Sequence, residues 1–430
     1  MKYRLISLTT AKILVLFAAI FISSSIAVFS RFNNRSDEDR HYHGFTYFEG
    51  KWWPPNLGSE EVSYSNHGVS RVYKSEIVYI LYGNLSHILT QTLNIQSSCL
   101  IYRFFNVALF FVTLTAILFS KVGEINVPSI GFVFVCIPRV YRIYSYANSD
   151  AWAISLSIFI FLLAVRYYST PLFKWKSKAI LLLGALTGLI FVSKENFLIS
   201  LILPYSLIAY GTLKLADTKY EKITHKCIKT LILLAVPALL IASPLKIFYP
   251  LSQGDYKKLK REMKEKYAAE GFKPSNPYEA SIKLKQKGYT YIKLLKEHPW
   301  IEKTAKSFWG YRHGERPEWI YIVIFPIGLL LLVLTLLEFK TASPTFRFCL
   351  LISLMIIGIN TMASLHYSLH IDYEPEGRYL FPSLIPISLW ITGKPDIHSK
   401  PQKILRVILF AIVYLLCIYS LWLFFWHKLL

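Results

Sequence analysis

The sequence predicts an all-α integral membrane protein, a polytopic bundle of about eleven transmembrane helices. Hydrophobic residues make up 54% of the 430-residue chain and aromatic residues 16%. Many apolar runs are long enough to cross a hydrocarbon core of about 30 Å. Only 17% of the residues are charged, yet the net charge is +22. This surplus must lie in loops or at helix ends, and it favours anionic lipid or phosphate over nucleic acid as a partner.

Length and polarity define the predicted membrane spans. They are 11–30, 99–119, 126–146, 151–166, 178–193, 196–213, 229–248, 318–338, 347–366, 378–393 and 404–426. The first apolar run ends in a charged stretch with no small-residue cleavage site, so we interpret it as a span and not as a signal peptide. With a cytoplasmic N-terminus the inner loops are mostly short and rich in Lys, as "KWKSK" shows, which fixes the orientation. The residues 194–196 either bend the chain between two spans or interrupt one long helix.

The spans divide the chain into three parts. Residues 1–248 form an N-terminal transmembrane module that includes a first outer loop, 31–98. Residues 249–317 form an extracytoplasmic helical loop, and 318–430 form the C-terminal transmembrane helices.

Both outer loops are expected to contain helices. In the first loop, apolar residues recur at helical spacing over 77–89, which predicts an amphipathic helix lying in the membrane interface. The alternative is a short reentrant or transmembrane helix, which would invert the topology downstream. The second loop carries opposite charges four residues apart, which is typical of a solvated helix. This loop is net basic, and long loops are exempt from the positive-inside rule.

The first outer loop begins with three consecutive acids, Asp37, Glu38 and Asp39, followed by His41. A carboxylate beneath a loop at the membrane surface can have a raised pKa and act as a general base. The same oxygens can hold a divalent cation such as Mg²⁺ or Mn²⁺. The alternative interpretation is an ordinary charged helix end. We therefore take Asp37 and Glu38 as the candidate catalytic residues and His41 as a candidate substrate ligand.

Several cations lie at predicted outer helix ends, the side that the positive-inside rule disfavours. They are Arg103, Arg139, Arg142, Lys194, Lys246 and Arg378. Arginine there can bind a lipid phosphate through two hydrogen bonds, and the alternative is snorkelling to headgroups. Arg378 is favoured because Glu376 and Tyr379 share its short polar segment.

Two further outer segments supply candidate substrate ligands. Asn148 and Asp150 can bond a sugar, although a cap on the helix that begins at 151 suits Asp150 better. Trp309 and Arg312 lie in "SFWGYRHGERPEW", which is interpreted either as substrate contact or as a loop docked on the membrane.

These residues resemble a bacterial family of polytopic membrane proteins of the GT-C glycosyltransferase class. "DEDRHYHGFTYFEG" is similar to its Asp-Glu-x-x-His opening with a later Gly, and "YANSDAWA" to its Asn-x-Asp-Ala element. "GLIFVSKENF" is similar to its Lys-bearing helix end, "SFWGYRHG" to its Ser-Phe-Trp-Gly segment, and "PEGRYLFPSLIP" to its Gly-Arg-Tyr-x-x-Pro close. The matches run in order from 37 to 386.

The resemblance implies a GT-C fold, a polyprenyl-phosphate sugar donor and a catalytic carboxylate in the first loop. Asp37 and Glu38 match the acidic pair, and Arg378 matches the late Arg. Asp39 and Arg40 stand where small residues or Pro are commoner, which leaves open which carboxylate is the base.

The expected activity is inverting sugar transfer on the extracytoplasmic face of the cytoplasmic (inner) membrane, to a glycan, lipid or protein acceptor. Nucleotide sugars stay in the cytoplasm, so an outer site needs a lipid-linked donor. A flippase or transporter of lipid-linked glycans is an alternative, but charges cluster at helix ends and no internal repeat stands out. A polysaccharide polymerase or ligase is a third possibility that shares the outer site.

Overall fold

The protein is a bundle of helices. The computed structural model describes all residues except 1–7, 34–36, 64, 75, 97, 121–124, 216–219, 277–282, 311–316, 394–399 and 429–430, and the described residues contain no strand. In chain order the α-helices are α1 (Leu8–Phe29), α2 (Glu38–Tyr47), α3 (Ile77–Leu93), α4 (Cys99–Leu118), α5 (Val127–Val135), α6 (Pro138–Ile143), α7 (Asp150–Tyr167), α8 (Ser177–Phe191), α9 (Ile202–Leu215), α10 (Tyr220–Ser243), α11 (Tyr249–Ser252), α12 (Tyr256–Tyr267), α13 (Tyr291–Glu297), α14 (Trp300–Trp309), α15 (Glu318–Glu338), α16 (Pro344–His370), α17 (Leu384–Thr392) and α18 (Lys400–Lys428).

Among the described residues, eight helical segments are long and apolar enough to cross a membrane. They coincide with eight of the predicted spans, which confirms a multi-pass membrane protein. The other three predicted spans are shorter or broken. The span predicted at 178–193 is the apolar helix α8, whereas 126–146 consists of α5 and α6, which are separated at Cys136 and Ile137. The span predicted at 378–393 starts as the 3₁₀ helix Gly377–Ser383 before α17.

The N-terminal helices pack around α7. Helix α4 lies between α1 and α7, and α7 also contacts α8 and α9. Helices α8 and α10 approach closely because two glycines face the partner backbone. A methyl group on Gly184 would lie 2.3 Å from the carbonyl oxygen of Leu234, and one on Gly188 would lie 2.8 Å from that of Ala238. Small residues at such crossings are typical of membrane helices, where van der Waals packing replaces the hydrophobic effect.

The C-terminal helices continue the same bundle. Helix α17 packs against α5, α15 and α16, while α18 contacts α6 and α15. At the ends of these helices, Arg406 and Glu338 form a buried ion pair of 2.9 Å, and Arg406 also donates to the carbonyl oxygen of Ile391. Large apolar side chains on the outer faces, such as Phe17 and Leu337, are exposed and suit contact with lipid.

The two outer loops pack on each other at one end of the bundle. Leu57, Val62, Val69 and Tyr73 of the first loop enclose Met263 of α12 in a separate apolar cluster. Helix α3 packs against α2 within the first loop and is not among the candidate spans. The amphipathic helix that the sequence predicts in this loop corresponds to α3.

Candidate functional site

Asp37 lies at the start of α2, and its backbone has a conformation that residues other than glycine rarely adopt. Its φ is 94° and its ψ −5°, a left-handed geometry that costs about 1–3 kcal/mol and is concentrated at functional sites. This turn directs Asp37 and Glu38 to different partners although the two residues are adjacent. The Asp37 carboxylate meets Arg71 at 3.1 Å, Arg40 at 3.4 Å and Arg378 at 3.6 Å.

Glu38 is fully buried and is bound by Arg103 of α4. The Arg103 Nε donates to one carboxylate oxygen at 2.8 Å and Nη2 to the other at 2.7 Å. The same guanidinium donates to the carbonyl oxygens of Ala27 and Ser30 at the end of α1. Arg103 therefore joins α1, α2 and α4, and both oxygens of Glu38 are used in holding α2. From this geometry we expect Glu38 to position its neighbour Asp37.

Arg378 belongs to a chain of alternating charges that leads away from Asp37. Its Nε lies 2.9 Å from Glu376, and Glu376 also contacts Arg139 at 3.0 Å. Arg139 in turn donates to the Ser307 hydroxyl at 2.5 Å. Residues from α6, α14 and the segment before α17 thus meet at the first outer loop. Asp37 and Arg378, which the sequence predicts to face one ligand, lie 3.6 Å apart.

The structure explains why the "PEGRY" segment has a glycine at position 377. A methyl group there would lie 2.0 Å from the backbone nitrogen of Phe308, so a side chain cannot be accommodated without moving α14. The Gly377 N–H also donates to Ser307 at 3.1 Å. Glycine therefore lets the segment that carries Glu376 and Arg378 lie directly on α14.

Asp150 and Lys194 form a second ion pair, with 2.5 Å between Lys194 Nζ and Asp150 Oδ1. The prediction that Asp150 caps the following helix is wrong. The amide oxygen of Asn148 accepts from the backbone N–H groups of Asp150 and Ala151 at 2.8 and 3.1 Å and takes that role. Asp150 is thereby free to face the site, within electrostatic reach of Arg71 and Arg378.

Buried polar atoms without a hydrogen bond collect at this cluster. In the described part of the chain they include Arg71 Nε, Glu76 Oε2 and Asp150 Oδ2. Most buried polar groups in proteins are satisfied, so these exceptions have bonding capacity that a polar ligand could use. Burial acts to lower the pKa of Arg71, but Tyr79, Asp37 and Glu76 hold that pKa above its ordinary value. Arg71 is a permanent cation.

The remaining predicted residues lie around this centre or away from it. His41 is buried, with its Nδ1 2.8 Å from the Tyr79 hydroxyl. Tyr379 hydrogen-bonds to Glu374. Arg142 and Trp309 are directed elsewhere: Arg142 lies over the Phe424 ring of α18, and the Trp309 indole donates to Cys136 inside the bundle. Arg312 lies outside the described residues.

The acidic triplet does not converge on a common point. Asp37 faces arginines at the site, whereas Glu38 faces Arg103 beneath it. Asp39 contacts Asn33 through its backbone N–H at 3.5 Å. Within the described residues no three His, Cys, Asp or Glu side chains are grouped as a metal site requires. The donor set around Asp37 is cationic and suits an anion better than Mg²⁺ or Mn²⁺.

Asp372, in the loop that precedes Gly377, has an unusual acidity. Burial, reinforced by the negative charge of Glu374, raises its pKa to about 6. A carboxyl whose pKa is raised in the folded state stabilises the fold below its unfolded pKa near 4 and loses that contribution as the pH rises through 6. Asp372→Asn should therefore raise the melting temperature at pH 7.5 by about 1–2 °C. At pH 4 the melting curves of variant and parent should coincide, and an equal shift at both pH values would contradict this reading.

Arg71 is the site residue that sequence reasoning missed. It lies in the middle of the first loop, within "HGVSRVYKSE", where no helix end marks it. Its role depends on the 3₁₀ turn Arg71–Lys74 packing on α2, a contact across more than thirty residues. The one available signal is an arginine between Ser70 and Val72 in a loop that already carries the candidate base.

The architecture is similar to that of a solved glycosyltransferase. The crystal structure of ArnT from Cupriavidus metallidurans bound to undecaprenyl phosphate matches 93% of this chain with a TM-score of 0.53 and 12% identity. This chain has the GT-C fold. The match covers 63% of ArnT, so the chain spans less than two thirds of that protein. No family model and no curated protein sequence matches the chain.

The arrangement of the helices is that of the GT-C fold. The fold class that the sequence predicts is confirmed, including the helices of the first outer loop. The likeness concerns the fold, and the roles of the individual motifs remain a prediction from the sequence.

Proposed function

We propose that this protein transfers a sugar from a polyprenyl-phosphate donor to an acceptor hydroxyl on the extracytoplasmic face of the cytoplasmic membrane. The observation that carries the proposal is the contact of the Asp37 carboxylate with Arg71 and Arg378, at 3.1 and 3.6 Å, at one end of a GT-C bundle. A carboxylate serves as a base, and guanidinium groups bind phosphate. The undecaprenyl phosphate bound to ArnT supports this class of donor.

The transfer step uses these groups in separate roles. The acceptor oxygen attacks the anomeric carbon of the sugar, and its proton passes to Asp37. The bond between that carbon and the phosphate oxygen breaks, and the electron pair leaves with the lipid phosphate. Arg71 and Arg378 stabilise the negative charge that develops on this leaving group. Attack opposite the leaving group inverts the anomeric configuration.

Donor binding also frees the base. Without a donor, Arg71 and Arg378 contact the Asp37 carboxylate at 3.1 and 3.6 Å. The donor phosphodiester, a monoanion, competes for the same two guanidinium groups and draws them away from the carboxylate. We therefore expect ordered binding, with the donor first, and little reaction of the acceptor site before the phosphate is in place.

The direct test is to incubate purified protein with polyprenyl-phosphate hexose and to measure release of polyprenyl phosphate. A glycosyltransferase releases it only when an acceptor, including water, takes the sugar. A transporter releases none, and a ligase requires a pyrophosphate-linked oligosaccharide. No release with any hexose donor and acceptor would overturn the proposal.

Removing a phosphate-binding arginine should weaken the donor complex. Arg378→Gln is expected to raise the donor KM by about 10–100-fold, since a hydrogen bond to a charged group contributes about 1.5–3 kcal/mol. Lys at this position should restore only part of the affinity, because it lacks the planar fork. Arg142→Gln is the matched control, since Arg142 lies over Phe424 of α18. Equal KM values for Arg378→Gln and the parent would contradict the role of Arg378.

A further inference from the structure

Helix α12 carries a row of cations on one face. Counted from Lys257, the basic residues fall at the i, i+3, i+4 and i+7 positions, which are neighbours on a helix surface. We call these residues the basic stripe: Lys257, Lys260, Arg261 and Lys264. It extends for about 10 Å along the helix axis. The acids of the same helix lie to one side, where Glu262 pairs with Lys258 at 4.0 Å and Glu265 accepts from Ser275.

The stripe is held rigidly on the first outer loop. Asp255 caps α12 by accepting from the Lys258 N–H at 3.0 Å, and the Ala269 N–H at its other end donates to the carbonyl oxygen of Asn66 at 3.0 Å. A methyl group on Gly68 would lie 2.9 Å from the Lys264 Cα, so loop and helix backbones are in direct contact. The cations therefore have fixed positions relative to the loop that carries Asp37.

One edge of the stripe borders the candidate site. Lys260 is half-buried with its Nζ 4.9 Å from the Tyr73 ring, two residues beyond Arg71. Burial lowers the pKa of Lys260. At the other end, His67 lies beside α12 and within electrostatic reach of Lys264, Arg40 and Asp37. Positive charge thus continues from the exposed face of α12 to the site.

The stripe does not suit attachment to a lipid surface. An interfacial helix inserts an apolar face into the headgroup region. The apolar residues of α12 are instead used against the first loop, with Met263 buried among Leu57, Val62 and Val69. The exposed residues of α12 are polar or charged. A fixed cationic surface without an apolar partner face is suited to a soluble polyanion.

We propose that the acceptor is an anionic glycan, a sugar chain bearing phosphate or carboxylate groups, which lies along the basic stripe and presents a hydroxyl to Asp37. This inference rests on the proposed function and names the acceptor class of the same site. Cations beside the site raise the local concentration of such a chain and orient it.

The test measures binding without requiring turnover. The full chain in nanodiscs of phosphatidylcholine is titrated into a fluorescent oligogalacturonate and into an uncharged dextran oligomer of equal length. Lys257→Gln/Arg261→Gln removes the two exposed cations of the stripe, and Lys293→Gln/Lys296→Gln removes two exposed cations from α13 of the same outer loop. We expect the stripe variant to bind oligogalacturonate about tenfold more weakly and the α13 variant to match the parent.

Each other outcome is decisive. Equal affinity for oligogalacturonate and dextran, or equal losses in the two variants, would overturn the proposal. So would binding that requires phosphatidylglycerol in the nanodisc, because the stripe would then recognise a membrane surface. Stripe-dependent binding without release of polyprenyl phosphate from any donor would leave the anion site standing and refute the transferase. Sugar transfer without preferential binding of oligogalacturonate would refute the anion site and leave the transferase standing.

Discussion

Asp37→Asn is expected to slow sugar transfer by about a thousandfold, within the range that a positioned general base contributes. Asparagine has nearly the same shape and tolerates the left-handed backbone at this position, where φ is 94°. The amide cannot accept the acceptor's proton. The fold should therefore persist while kcat falls, and release of polyprenyl phosphate under saturating donor measures the loss.

Asp39→Asn is the matched control for this experiment. Asp39 is the second residue of α2, and its backbone N–H lies 3.5 Å from the side-chain oxygen of Asn33. We expect this variant to keep near-parental activity. Full activity of Asp37→Asn, or an equal loss in both variants, would remove Asp37 as the base.

Much of the fold follows from the sequence because membrane spans are read from length and polarity. The eight long helices needed no information from distant parts of the chain. The broken segments could not be foreseen in this way. Residues 126–138 contain no charged side chain, yet the chain stops α5 at Val135 and restarts at Pro138, after which Arg139 turns toward Glu376.

The sequence predicts most of the residues at the site but not which of them contact each other. Asp37 and Arg378 are more than three hundred residues apart in the sequence, and the order of the helices brings them together at one end of the bundle. Sequence position alone cannot separate Asp37 from Glu38, because the separation is made by one backbone angle at Asp37 and by Arg103 beneath it. Arg71 could not be singled out, since its approach to Asp37 depends on how the first loop folds onto α2.

The burial of Glu38 has a consequence for stability. Its ion pair with Arg103 is closed to solvent, with side-chain exposures of 0% and 3%. Removing one partner of a buried pair leaves an uncompensated charge and costs about 3–5 kcal/mol. Glu38→Gln should therefore lower the free energy of unfolding by about this amount, and thermal unfolding in detergent should show a sharply reduced folded fraction.

A matched control and a double variant separate this effect from catalysis. Glu195→Gln removes a partner of Lys246 from an ion pair in which the Glu195 side chain is 82% exposed, and it should cost about 0–1 kcal/mol. Glu38→Leu/Arg103→Met replaces both buried charges by apolar groups and should recover part of the stability that Glu38→Gln loses. If Glu38 only positions α2, transfer by Glu38→Gln should fall in parallel with the folded fraction. A fully stable Glu38→Gln protein that releases no polyprenyl phosphate would instead place Glu38 in the chemical step.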